Sequence, residues 1–196
     1  MMRKIRLRNP VLFFSVFLVF FAGTASFSQT NSKTDPSKVH WYTLNQAIEL
    51  ARIAPRPIFL DIYTPWCGWC KVMDKRTFAK KSIAQFMNTH FYCVKFDAEG
   101  RDTVLYNGQQ LINAAPVDGR NSTHPLAFSL LDGHLAYPSL VFLDEQGKRI
   151  YALQSFMKPS DFEKYMDFIE QGAYKKESYD DFYSGFPEKS PLKEKH

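Results

Sequence analysis

The chain has 196 residues, enough for one domain with appendages, and its 45% hydrophobic and 16% aromatic content can fill a packed core, which excludes disorder as the state of its body. The formal charge is +5, but Arg3, Lys4, Arg6 and Arg8 all precede the first acid, Asp35, and taking them away leaves +1. The basic balance therefore belongs to one short segment and gives no support to nucleic-acid binding.

That segment has three parts. Residues 1–9 are basic, residues 11–22 are apolar apart from Ser15, and residues 23–28 are small and polar around Phe27. This is the plan of a secretory signal peptide over residues 1–28, with cleavage after Ser26-Phe27-Ser28. An apolar run of about a dozen residues falls short of the roughly 20 that a membrane span needs, so no stable membrane anchor is expected after signal removal. No cysteine stands at the cleavage region, which argues against a lipoprotein. The mature protein is expected in the periplasm or secreted, where disulfides form and persist.

Residues 29–38 are polar and read as a flexible leader, and residues 39–42 as a short edge strand. Thr43 and Gln46 form a capping box, with Leu44, Ala47, Ile48 and Ala51 at helical spacing before Pro55 and Pro57. Residues 57–63 are apolar at almost every position, as in a central parallel strand covered on both faces. Asp61 is the anomaly in that strand.

The strand runs into Thr64-Pro65-Trp66-Cys67-Gly68-Trp69-Cys70-Lys71, followed by Met73, Asp74 and Phe78 at helical spacing. Cys-x-x-Cys between a strand and a helix is a redox arrangement. Unpaired N–H groups and the positive dipole end at the first helical turn stabilise a thiolate, so Cys67 can attack a disulfide in another protein and Cys70 can break the mixed disulfide. A zinc knuckle would need a second ligand pair, yet the only other cysteine is Cys93 and the five histidines show no ligand spacing. Haem attachment needs His where Lys71 stands. A purely structural disulfide remains open. Asp61, six residues before Cys67, is costly to bury as an anion, so its pKa should be raised and it can accept the Cys70 proton; pairing with Lys95 is the alternative.

Lys71, Lys75, Arg76, Lys80 and Lys81 give a basic face, read as a solvated helix end in preference to an acidic docking surface. Ser82 with Gln85 is expected to cap a short helix, and residues 91–97 form a second buried strand in which Cys93 is an inert core thiol. Residues 100–121 read as an insertion with one short helix over 104–112. Asn121-Ser122-Thr123 matches a glycosylation sequon, but Thr123 is read as the cap of a helix opened by Pro125 and closed by Asp132-Gly133.

Tyr137-Pro138 opens an apolar strand over 139–144, where the proline leaves neighbouring backbone free to pair with something external. Glu145-Gln146-Gly147-Lys148 turns into a strand over 149–153. Ser160 and Glu163 are expected to cap a final helix ending at Gly172, and residues 173–196 form a charged tail with aromatics.

Asp61, the Trp66-Cys67-Gly68-Trp69-Cys70-Lys71 motif, Thr77-Phe78, and Pro138 before a hairpin and final helix together resemble the thioredoxin-like superfamily over residues 39–172. The chain is similar to secreted thioredoxin family proteins and to the thioredoxin-like domain of the membrane thiol:disulfide interchange reductase. The resemblance implies an α/β thioredoxin fold: a central mixed sheet flanked by helices, with the insertion before a cis-Pro138 strand. It implies Cys67 as nucleophile, Cys70 as resolving thiol, Asp61 as proton acceptor, and Trp66, Trp69, Tyr137 and Pro138 beside the substrate. The activity implied is thiol:disulfide oxidoreductase, acting as a protein-disulfide reductase supplied by a membrane thiol:disulfide electron donor, with no metal or other cofactor. A disulfide oxidase or isomerase, and a non-catalytic binding or chaperone module, are the alternatives. Two positions depart from common patterns: Gly68-Trp69 stands where thioredoxin has Gly-Pro, and Tyr137 where many relatives have Thr.

Overall fold

The computed structural model describes residues 35–114 and 122–184. Five strands form the central sheet in the order β1 (Trp41–Tyr42), β3 (Tyr92–Asp97), β2 (Ile58–Tyr63), β6 (Ser139–Leu143) and β7 (Arg149–Gln154). β1, β3 and β2 run parallel, β6 is antiparallel to β2, and β7 is antiparallel to β6. β2 is apolar on both sides because both faces of the sheet are covered. Ile58, Leu60 and Ile62 enter one core, and Phe59 enters the other. This is a thioredoxin fold.

The first core is closed by α1 (Leu44–Ile53), α4 (Pro125–Leu130) and the hairpin of β4 (Val104–Tyr106) and β5 (Gln109–Leu111). The second is closed by α2 (Gly68–Met73), a π-helical turn (Asp74–Phe78), α3 (Lys81–His90), α5 (Pro159–Glu170) and α6 (Tyr179–Ser184). Phe59, Phe78, Phe142 and Phe162 meet in it at ring distances of 5.3–5.9 Å, mostly edge to face. The Thr43–Gln46 capping box opens α1 as expected.

Four local expectations are corrected. Residues 104–112 are a hairpin, because Asn107 and Gly108 take φ of +51° and +75° as a two-residue hairpin turn requires, and Val104 and Tyr106 are buried on either side of exposed Leu105. His124, not Thr123, caps α4: its Nδ1 accepts the Leu126 N–H at 3.1 Å. α3 begins at Lys81, since the chain leaves the π turn through Ala79 and becomes extended at Lys80, two residues too early for Ser82 to cap. α5 is entered through Pro159, whose ring suits the first helical position, so Ser160 lies inside the helix.

Beyond Gly172, Ala173–Lys175 forms a 3-10 turn, and α6 buries Phe182 and stacks Tyr179 on Tyr165 at 3.7 Å. The signal peptide, most of the leader, the Asn121 sequon position and residues 185–196 lie outside the described residues. Among the described residues no helix is long and apolar enough to cross a membrane.

Candidate functional site

β2 ends at Tyr63, and the next residues carry the chain over the end of the sheet into α2. The Cys67 N–H donates to the Thr64 carbonyl at 3.0 Å, leaving Cys67 as the extended N-cap of α2. Its sulfur takes the place of a capping oxygen: the Cys70 N–H donates to Cys67 Sγ at 3.0 Å. Cys67 and Cys70 are joined by a disulfide and are 4% and 3% exposed.

Asp61, two residues after Phe59 on β2, lies on the same face of the sheet and so faces the core beneath α2 and the π turn. It is 1% exposed, and burial, opposed by the Lys95 ammonium, pushes its carboxyl up to about 6. Lys95, opposite Asp61 on β3, donates to Asp61 Oδ2 at 3.0 Å and also bonds Asp74 on the π turn. Burial pulls the Lys95 pKa down, but Asp61 and Asp74 outweigh this and hold it raised. Asp61 Oδ1 is buried without a hydrogen-bond partner, as is Thr64 Oγ1. The site thus holds a carboxyl with an open position for a proton, in the range where proton exchange near neutral pH is efficient.

Two exposed tryptophans stand on either side of Cys67 in the sequence. Trp66 is 64% exposed, its Nε1 donates to both Glu99 carboxylate oxygens at 3.0 and 3.1 Å, and its ring meets Tyr137 edge to face at 6.0 Å. Tyr137 precedes Pro138 through a cis peptide bond. Trp69, 62% exposed, lies against Phe156 at 5.6 Å. Cys93 is fully buried, and burial pushes its thiol up. Among the described residues no group of three or more His, Cys, Asp or Glu could hold a metal ion.

Sequence reasoning missed Asp74, Glu99, Phe156 and Asn113. Asp74 was findable, since it lies four residues after Cys70 on the same helical stretch. Glu99 and Phe156 meet the tryptophans only through tertiary structure. Asn113, 6% exposed, fastens the insertion through its Nδ2, which lies 2.7–3.2 Å from the carbonyls of Ser122, Gly100 and Glu99.

The family model Thioredox_DsbH, described as protein of unknown function DUF255, matches residues 24–175. Spermatogenesis-associated protein 20 of Mus musculus is 36% identical over 67 residues, 34% of this chain and 8% of that protein. Thiol:disulfide interchange protein DsbD of Vibrio vulnificus is 28% identical over 101 residues, 47% of this chain and 17% of that protein. The chain therefore spans less than a fifth of these curated relatives. A thioredoxin from Thermus thermophilus superposes with a TM-score of 0.50 at 16% identity, covering 67% of this chain and 87% of that one.

Proposed function

We propose that this chain, which belongs to the Thioredox_DsbH (DUF255) family and is of the thioredoxin-like disulfide oxidoreductase type, is a reductase of protein disulfides outside the cytoplasm. The observation that carries the reading is the Cys67–Cys70 disulfide at the start of α2, directly after the strand that holds the buried carboxyl of Asp61. In the reduced protein, the Cys67 thiolate attacks a substrate sulfur and expels the partner sulfur as a thiolate, which takes up a proton. Asp61 accepts the Cys70 proton, and the Cys70 thiolate displaces the substrate from Cys67. Two electrons pass from the dithiol to the substrate disulfide, and the protein is left with the bond seen here. Trp66, Trp69, Tyr137 and Pro138 provide the surface on which the substrate backbone rests.

A relative named as a thiol:disulfide interchange protein supports electron supply by a membrane thiol:disulfide donor. The signal-peptide character of residues 1–28 supports the compartment. Equilibration of the Cys67–Cys70 pair with glutathione buffers is the first test. A potential near the −270 mV of thioredoxin supports a reductase, one near −120 mV makes the protein an oxidase or isomerase, and a pair that resists reduction makes it a binding module. A Cys67→Ser protein that still reduces an accessible protein disulfide would end the redox reading.

A further inference from the structure

On the Trp66 side, Glu99 holds the indole N–H, and the charges of Glu99 and Asp97 both bear on the Tyr137 hydroxyl next to the cis-proline. On the Trp69 side the chain presents cations. Thr77 Oγ1 donates to the Met157 carbonyl at 2.8 Å, which fastens the π turn to the loop bearing Phe156 and exposed Lys158. Phe156 lies against Trp69, and Lys71, Lys75 and Arg76 are exposed along the same helical stretch. Among the described residues these three cations have no ion-pair partner, while Asp74, the acid between them, is engaged by Lys95.

Lys75 and Arg76 stand in the last turn of the π-helical segment, where the carbonyl end favours a cation, but Lys158 is the N-cap of α5, where it does not, so a solvated helix end does not account for the whole arrangement. An exposed tryptophan backed by a half-buried phenylalanine, with unbalanced charge nearby and adjoining the disulfide, has the makings of a recognition surface.

We propose that the Trp69 flank docks disulfide-bearing proteins that are acidic on one side of the reactive cysteine. An apolar side chain rests on Trp69 and Phe156, and a neighbouring Asp or Glu faces Arg76 and Lys158. The proposal rests on the redox reading above and names its substrate class.

The test uses the chain reduced with dithiothreitol, freed of excess reductant, and four peptides carrying one cysteine joined to 5-thio-2-nitrobenzoate. The peptides have Leu and either Glu or Lys on the N-terminal or the C-terminal side of the cysteine. The Cys67 thiolate bonds to the peptide sulfur and expels the coloured thiolate. Cys70, giving up its proton, then closes the protein disulfide and expels the peptide thiolate, which is protonated. At low salt the Glu peptide of one side should react about tenfold faster than its Lys twin, with the ratio falling to about twofold or less at roughly 0.5 M salt. Arg76→Glu with Lys158→Glu should invert that ratio. Equal rates for Glu and Lys peptides at low salt, or a ranking that survives charge reversal, overturns the proposal.

Hydroxyethyl disulfide, small and neutral, separates the two readings. If the protein reduces it through Cys67, the redox reading stands whatever the peptides do. If it stays inert, the redox reading falls, and the docking surface is judged by anisotropy of labelled Glu and Lys peptides with Ser in place of Cys. Tighter binding of the Glu peptide upholds the surface, and equal binding ends it.

Discussion

Replacing Asp61 by Asn tests the electrostatics beneath the disulfide. The Asp61 carboxyl is pushed up from 3.8 to about 6 because burial outweighs the attraction of Lys95. Between those two pH values the folded protein keeps a proton that the unfolded chain has lost, so stability falls as pH rises through the window. At about 1.4 kcal/mol for each tenfold change, the move costs about 3 kcal/mol by pH 7 and nothing below about pH 4. Asn cannot ionise. Oxidised Asp61→Asn should therefore be more stable than the parent by about 1–3 kcal/mol at pH 7, the lower end allowing for Lys95, which loses one acid and keeps Asp74. At pH 4 the gain should disappear. Urea unfolding of both oxidised proteins at the two pH values measures this. A variant that is less stable at pH 7, or a difference that does not change with pH, would show that Asp61 is a satisfied ion pair and refute the raised carboxyl. In the reduced protein the same substitution should slow release of a trapped mixed disulfide by about 10²-fold near neutral pH, since the proton acceptor proposed above is gone.

Lys95→Met removes the counter-charge and should cost about 2–4 kcal/mol at pH 8, less at pH 5 where Asp61 takes up a proton; pH-dependent unfolding reads the difference. Iodoacetamide applied to the reduced native protein should label Cys67 and leave Cys93 untouched until urea is added, as peptide mass mapping will show, because Cys93 is buried and its thiol held protonated. Phe162→Ala, which empties a site packed against Phe59 and Phe78, should cost about 3–5 kcal/mol and lower Tm by roughly 10 °C. A loss under about 1 kcal/mol in that variant would mean the aromatic core collapses around the gap.

What the sequence determined by itself is what short-range physics encodes. Thr43 and Gln46 cap a helix because both partners lie within one turn. A short, nearly all-apolar run before a Cys-x-x-Cys helix start reads as a strand covered on both faces, and its single carboxylate stands out because burying it is costly. The Cys67–Cys70 spacing and Pro138 could be recognised for the same reason, since each acts within a few residues. The Asn107-Gly108 turn was also written locally and was overlooked because the residues around it allow a helix.

Tertiary structure alone decided the rest. Lys95 serves both Asp61 and Asp74 because parallel pairing of β2 and β3 brings it opposite Asp61, while the π turn delivers Asp74 from above. Glu99 fixes Trp66 from 33 residues away, and Phe156 supports Trp69 from the loop before α5. His124 caps α4 because its Nε2 donates to the Asp102 carbonyl at 2.9 Å and its ring meets Phe96, a setting no local pattern announces. Hydrogen bonds and charges act over a few ångströms of space, so the chain can name its paired cysteines by spacing, but their neighbours exist only once the sheet has brought distant segments together.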